Sequence, residues 1–217
     1  MRTDTAPNRY ETWRLEWKER FLTLDQEALC ARVPGLTARE DCLTLDYFSR
    51  PYGIHRETGL IHSLEDESRE LTLFTQLNIY TLLWYCREDA VFKNQWMPFR
   101  NLKDASPFGP AFQRTVVDVF ARTFSGHPDE LRRACEALGG RRLPHSDVGY
   151  EIPAFACIPV QFLFWDGDDE FPAQGNILFD QSAVEYIHVE SLVSIASDGL
   201  TLLSGLAGLP LDGNTFS

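Results

Sequence analysis

The last 74 residues, Pro144 to Ser217, carry eleven carboxylates and neither lysine nor arginine, whereas the first 143 hold all 20 basic residues against 21 acids. The net charge of −12 thus divides into −1 for the first two thirds and −11 for the last third. Self-repulsion opposes compaction, so such a chain must lay its basic part against its acidic part or turn the acids toward solvent, a cation or a basic partner. Crowding is sharpest at Asp166-Gly167-Asp168-Asp169-Glu170, directly after the apolar run Cys157 to Trp165. If the offset is internal, Arg100, Arg114, Arg141 and Arg142 are expected to lie against the acidic third.

This balance disfavours nucleic acid, whose phosphates are held mostly by Lys and Arg, and equally an anionic membrane surface. No apolar stretch follows Met1-Arg2-Thr3-Asp4-Thr5-Ala6-Pro7, so no signal peptide is expected. Cys157 to Trp165 and Gly199 to Leu211 are too short or too glycine-rich for a membrane helix. The five cysteines, at 30, 42, 86, 135 and 157, are odd in number and widely spaced, without the close pairs that mark zinc or iron–sulfur sites. They are expected to be reduced packing residues in a cytoplasmic protein, and no iron–sulfur motif is present.

A length of 217 residues suits one domain spanning 1–217, with a tail after about 208. Trp13, Trp17, Phe21, Leu24 and Ala28 recur at helical spacing, which predicts a helix from Asn8 to Val33 that Pro34-Gly35 ends. Residues 42 to 62 alternate and turn like a small antiparallel meander. Arg69 to Arg87 reads as a helix with Leu73, Leu77, Tyr80 and Trp84 on its inner face. Trp96 to Phe99 is extended, and helices are expected at Ala111–Phe124 and Pro128–Leu138. Strands are expected at Tyr150–Phe155, at Ile158–Trp165 and at Asn176–Asp180. The second of these has two apolar faces and should be central. Ser182 to Glu185 has capping-box spacing, and a last helix should run from Val189 to Ala207. The fold class is α+β: a mainly antiparallel sheet flanked by several helices.

The chemistry-bearing residues concentrate in the acidic third. Asp166, Asp168, Asp169 and Glu170, with Asp180 farther on, supply the oxygen donors that a ligand or hard cation takes. An EF-hand is excluded, because Phe171 stands where its glycine belongs and Ile177 where its bidentate glutamate belongs. His145 with Asp147, and His188 with Glu190, are candidate helpers for a mixed histidine–carboxylate site. The bland alternative is a solvated hairpin end whose charges keep an apolar strand from aggregating. No Gly-x-Ser-x-Gly, His-Glu-x-x-His or phosphate-cradling glycine loop occurs.

Phe164-Trp165-Asp166-Gly167-Asp168-Asp169-Glu170-Phe171-Pro172, then Asn176 to Asp180, then Tyr186-Ile187 and Glu190-Ser191-Leu192, resemble the end of domain of unknown function family 3786. Leu82 to Tyr85, Trp96 to Arg100 and Leu138-Gly139-Gly140 look like its earlier landmarks, so the resemblance covers roughly 10–200. The family is uncharacterised, occurs in bacteria and archaea, many of them anaerobes, and includes members fused to a cysteine-rich four-iron cluster domain like that of corrinoid iron–sulfur proteins. This chain lacks that cysteine cluster, and has Ile187-His188 where the family more often has Leu-Pro. The resemblance implies a loose link to anaerobic cofactor metabolism, and no activity. Together these readings favour a non-catalytic, ligand- or cation-binding accessory protein, its partner a small molecule or a basic protein. The alternatives are a metal-dependent enzyme built on the acidic hairpin and an acidic interaction module.

Overall fold

The computed structural model describes residues 9–66 and 68–213. The expected helix start at Asn8 and the last residues of the tail lie outside them. The predicted N-terminal helix is two helices, α1 (Arg9–Leu22) and α2 (Gln26–Arg32). The reason is Asp25. Its carboxylate accepts the backbone N–H groups of Glu27 and Ala28, both at 3.1 Å, so it caps a new helix and does not continue the old one.

The first sheet follows as β1 (Thr37–Ala38), β2 (Cys42–Tyr47), β3 (Arg50–His55) and β4 (Ile61–Ser63), antiparallel and in chain order. The β2–β3 connection is only Phe48-Ser49, both with positive φ (49° and 59°), as a tight hairpin turn requires. Phenylalanine is an unusual occupant of that region, and burial explains its presence: Phe48 is 0 % exposed. Helix α3 (Leu73–Tyr85) crosses next. The expected inner stripe is only partly right. Thr75, Asn78, Ile79, Tyr80, Thr81, Leu82 and Leu83 are all buried, so α3 is covered nearly all round, while Trp84 is 37 % exposed.

The chain continues through β5 (Trp96–Pro98) into α4 (Gly109–Phe112), a π turn at Gln113–Val117 and α5 (Asp118–Phe124). Helix α6 (Pro128–Ala137) and the two-residue β6 (Arg141–Arg142) lead into three long strands: β7 (Val148–Phe155), β8 (Ile158–Trp165) and β9 (Gln174–Asp180). The short α7 (Ala183–Tyr186) precedes α8 (Val189–Ala207). The second sheet has the order β5-β9-β8-β7-β6, every pair antiparallel, with β8 in the middle as its two apolar faces predict. The fold is α+β.

One hydrophobic cluster runs through both sheets and their helices. Phe120 of α5 meets Phe162 and Phe164 of β8 edge-on, with ring centroids 5.7 and 5.8 Å apart. The sheets are stitched where the Phe48 N–H donates to Ala154 O of β7 at 2.9 Å. Helix α8 lies over that seam. A Cβ on Gly199 would stand 2.8 Å from Phe48 and 2.9 Å from Phe162, so only glycine lets α8 touch both sheets. By length and composition α8 would also qualify to cross a membrane, yet 61 % of it is buried inside this fold.

Charge is offset across the chain, though not mainly by the four expected arginines. Arg141 pairs with Glu151 at 2.9 Å; Lys93 pairs with Glu185, and Arg122 lies 3.8 Å from Asp212. Among the described residues, Arg100, Arg114 and Arg142 make no ion pair. Pairs this exposed contribute roughly 0–1 kcal/mol each. No disulfide joins the five cysteines, and burial pushes the Cys157 thiol up to about 12.

Asp180 is the most heavily bonded carboxylate. It is 1 % exposed, and its oxygens accept the N–H groups of Lys93 and Ser182 (3.0 Å each), the N–H of Gln95 (2.6 Å) and the Ser182 hydroxyl. The Ser182 hydroxyl is thereby spent on Asp180, so the helical turn α7 starts where the capping-box spacing places it but without the side-chain cap. Burial alone would raise the Asp180 pKa, but these bonds outweigh it and hold it below its usual 3.8. A depressed carboxylate stabilises the fold above its unfolded value and ceases to do so as pH falls through the folded one. Asp180→Asn is therefore expected to cost about 1–3 kcal/mol near neutral pH. In urea unfolding, the gap from wild type should narrow below pH 3.8. A gap independent of pH would contradict this.

Candidate functional site

The acidic segment is an eight-residue loop, 166–173, between β8 and β9. It is held by its own carboxylates. Asp166 Oδ1 accepts from Gly126 N at 2.8 Å and Gly167 N at 2.9 Å, and Asp147 Oδ2 accepts from Asp166 N at 2.9 Å. Asp168 Oδ1 accepts the N–H groups of Glu170 and Phe171, each at 2.8 Å, and these bonds lower its pKa. Asp169 and Glu170 point outward, and Phe171 beside them is 63 % exposed.

Of the other sequence candidates, Asp147 reaches this loop through its bond to Asp166 N, while Asp180, His188 and Glu190 do not. Asp180 ends β9 about 20 Å of strand away from the loop, buried in its own bonds. His145 is exposed. His188 and Glu190 start α8 and belong to a different surface. Among the described residues, no group of three or more His, Cys, Asp or Glu side chains is placed to hold a metal ion.

That different surface is a pocket of about 430 Å³ between α1, α3, the start of α8 and the segment around Phe108 and Ala111. Its walls include the rings of Trp13, Trp17, Phe74, Tyr85 and Phe108. Trp13 and Trp17 belong to the apolar stripe of the N-terminal helix, which by its helical spacing reads as core. Trp13 is 38 % exposed instead, because α1 covers α3 along one side only, with Phe21 buried below. Tyr85 packs on Trp17 at 6.0 Å and on the His188 ring at 5.5 Å. His188 caps α8: its Nδ1 accepts Glu190 N–H at 3.3 Å.

The floor is polar. Asn78, Thr81, Ser191 and Ser194 line it, and all four are tied into one network. Thr81 Oγ1 donates to Leu77 O at 2.7 Å and sits 3.1 Å from Ser191 Oγ; Ser194 Oγ donates to Asn78 Oδ1 at 2.6 Å. Behind the floor, Asn78 Nδ2 donates to Tyr47 Oη at 3.0 Å and to Asp198 Oδ2 at 3.2 Å, and Tyr47 Oη donates to that same oxygen at 2.7 Å. Burial raises the Asp198 carboxyl to about 6, although the Tyr47 and Asn78 bonds pull it back. Burial, and then the charge of Asp198, hold the Tyr47 hydroxyl well above its usual value.

Asn78, Tyr47 and Asp198 were not singled out by the sequence reasoning. A signal was present: Asp198 is the one carboxylate amid Ile195-Ala196-Ser197 and Gly199-Leu200-Thr201-Leu202-Leu203, and Asn78 interrupts Leu77 and Ile79. Polar residues inside apolar helical runs ask for internal partners.

A model for a family described as a domain of unknown function, DUF3786, matches residues 25–199, and the chain belongs to that family. No curated protein and no solved structure matches it.

The loop geometry makes Asp168, and not Glu170, the acid on which the loop's stability depends. Asp168 holds two backbone N–H groups and Glu170 holds none of the loop. Asp168→Ala is expected to lower the melting temperature, and Glu170→Ala to leave it unchanged or raise it slightly through relieved repulsion. Thermal denaturation of the two variants side by side checks this, and a larger loss in Glu170→Ala would contradict it.

Proposed function

We propose that this member of the family is a non-catalytic accessory protein that binds a small organic ligand in the α1–α3–α8 pocket. The observation that carries this is the pocket itself: a concavity of about 430 Å³ with aromatic walls over a fixed polar floor. Ligand sites have that build, at about 300–1,000 Å³ with a few placed polar groups. The floor is preorganised, because its hydroxyls are already oriented by Asn78 and by backbone carbonyls, so a ligand meets a set pattern of lone pairs.

Binding suits this geometry better than acyl transfer. Ser191 bonds to Thr81, and His188 Nδ1 is spent on a helix cap, so neither serves the other as nucleophile and base. The context we assign is cytoplasmic, with a loose tie to anaerobic cofactor and corrinoid metabolism that rests on family resemblance alone. A second reading has one observation in its favour: Phe171 stands exposed among Asp168, Asp169 and Glu170, a surface that would suit docking of a basic protein.

Ligand-detected NMR with a set of small aromatic fragments tests the main reading. Hits are expected in the wild type, and they should disappear in Ala111→Trp, which fills the pocket, while persisting in Phe171→Ser. Hits unaffected by Ala111→Trp, or lost in Phe171→Ser, would move binding away from the pocket and contradict the proposal.

A further inference from the structure

We infer that the pocket selects an organic cation: a protonated amine or protonated nitrogen heterocycle that carries at least one N–H. This rests on the binding reading above and adds the charge and hydrogen-bonding character of the ligand. Three independent features agree.

The first is the proton inventory of the floor. The Thr81 hydroxyl proton goes to a backbone carbonyl, Leu77 O at 2.7 Å, so in the 3.1 Å contact with Ser191 the serine must be the donor. Ser194 spends its proton on Asn78 Oδ1, and the Asn78 amide hydrogens go to Tyr47 and Asp198. Every floor donor is thus consumed by the protein. The free lone pairs of Ser191 and Ser194 remain, and only a ligand that donates can use them.

The second feature is the walls. Trp, Tyr and Phe rings present negative π faces, which attract a cation and are indifferent or hostile to an anion. The third is the rim, where Glu16 and Glu190 stand. Among the described residues, neither is within ion-pair distance of a Lys or Arg. The rim also holds one permanent cation, Arg20, but its guanidinium already lies 4.5 Å from the Trp17 ring centroid and 5.7 Å from that of Trp84. The charge balance around the opening is therefore negative, and Arg20 itself shows these rings receiving a cation.

The test compares phenethylamine with its neutral isostere phenethyl alcohol and with phenylacetate at pH 7, followed by the tryptophan indole N–H shifts. Phenethylamine should bind about tenfold tighter than the alcohol, and phenylacetate more weakly than either. In the Glu16→Gln/Glu190→Gln double variant, whose exposed side chains leave the fold intact, the amine preference should shrink to within about threefold while alcohol binding stays as it was. Equal or tighter binding of the alcohol or of phenylacetate would overturn the cation assignment and leave the pocket reading standing. An undiminished amine preference in the double variant would overturn the role given to the two carboxylates. Absence of binding by all three would overturn the pocket reading and this inference with it.

Discussion

Everything near the pocket depends on three side chains that meet behind it: Tyr47 from the first sheet, Asn78 from α3 and Asp198 from α8. Each is far from the others in sequence, so their bonds close long loops and fix three elements against one another. The junction is made of polar atoms in an apolar setting, and its cost is visible in the raised Asp198 pKa of about 6. Satisfied, it is specific, because only one mutual arrangement of β2, α3 and α8 pairs all the donors with acceptors. Left half-satisfied, each orphaned group would cost about 1–3 kcal/mol.

The pocket is a consequence of that junction. Asn78 has its amide nitrogen turned toward Tyr47 and Asp198, so its oxygen faces Ser194 and the floor. The close seat of α8 on both sheets, which Gly199 permits, brings Ser191 beside Thr81 and the start of α8 beside Tyr85. Helix α1 then covers α3 incompletely, and the uncovered rings become walls. Structure and proposed binding thus share one cause: a buried polar contact sets the helix spacing, and the spacing leaves room for a ligand.

Much of this was legible in the sequence where one physical effect dominates. The doubly apolar β8, the span of α8 and the α+β class follow from periodicity and composition. The break between α1 and α2 was not visible, because apolar spacing continues through Leu24 while Asp25 captures two N–H groups. The acidic loop drew attention as a charge cluster, yet its carboxylates turn out to bond their own backbone. Asp180 looked like a ligand and is a buried brace for residues 93–95. The aromatic stripes looked like core, and Trp13 and Trp84 lie partly exposed at the helix surface, since periodicity tells which residues share a face but not what covers it. The floor network was hidden for a related reason: nothing local says that residues 47, 78 and 198 meet.

The central claim is that the Tyr47–Asp198 contact couples the first sheet to α8. A double-mutant cycle on Tyr47→Phe and Asp198→Asn, by urea unfolding at neutral pH, measures that coupling directly. The account requires a coupling energy of about 1–3 kcal/mol, because either change alone breaks the same charge-assisted bond. Strictly additive losses, with a coupling near zero, would contradict it and leave the helix spacing to apolar packing alone.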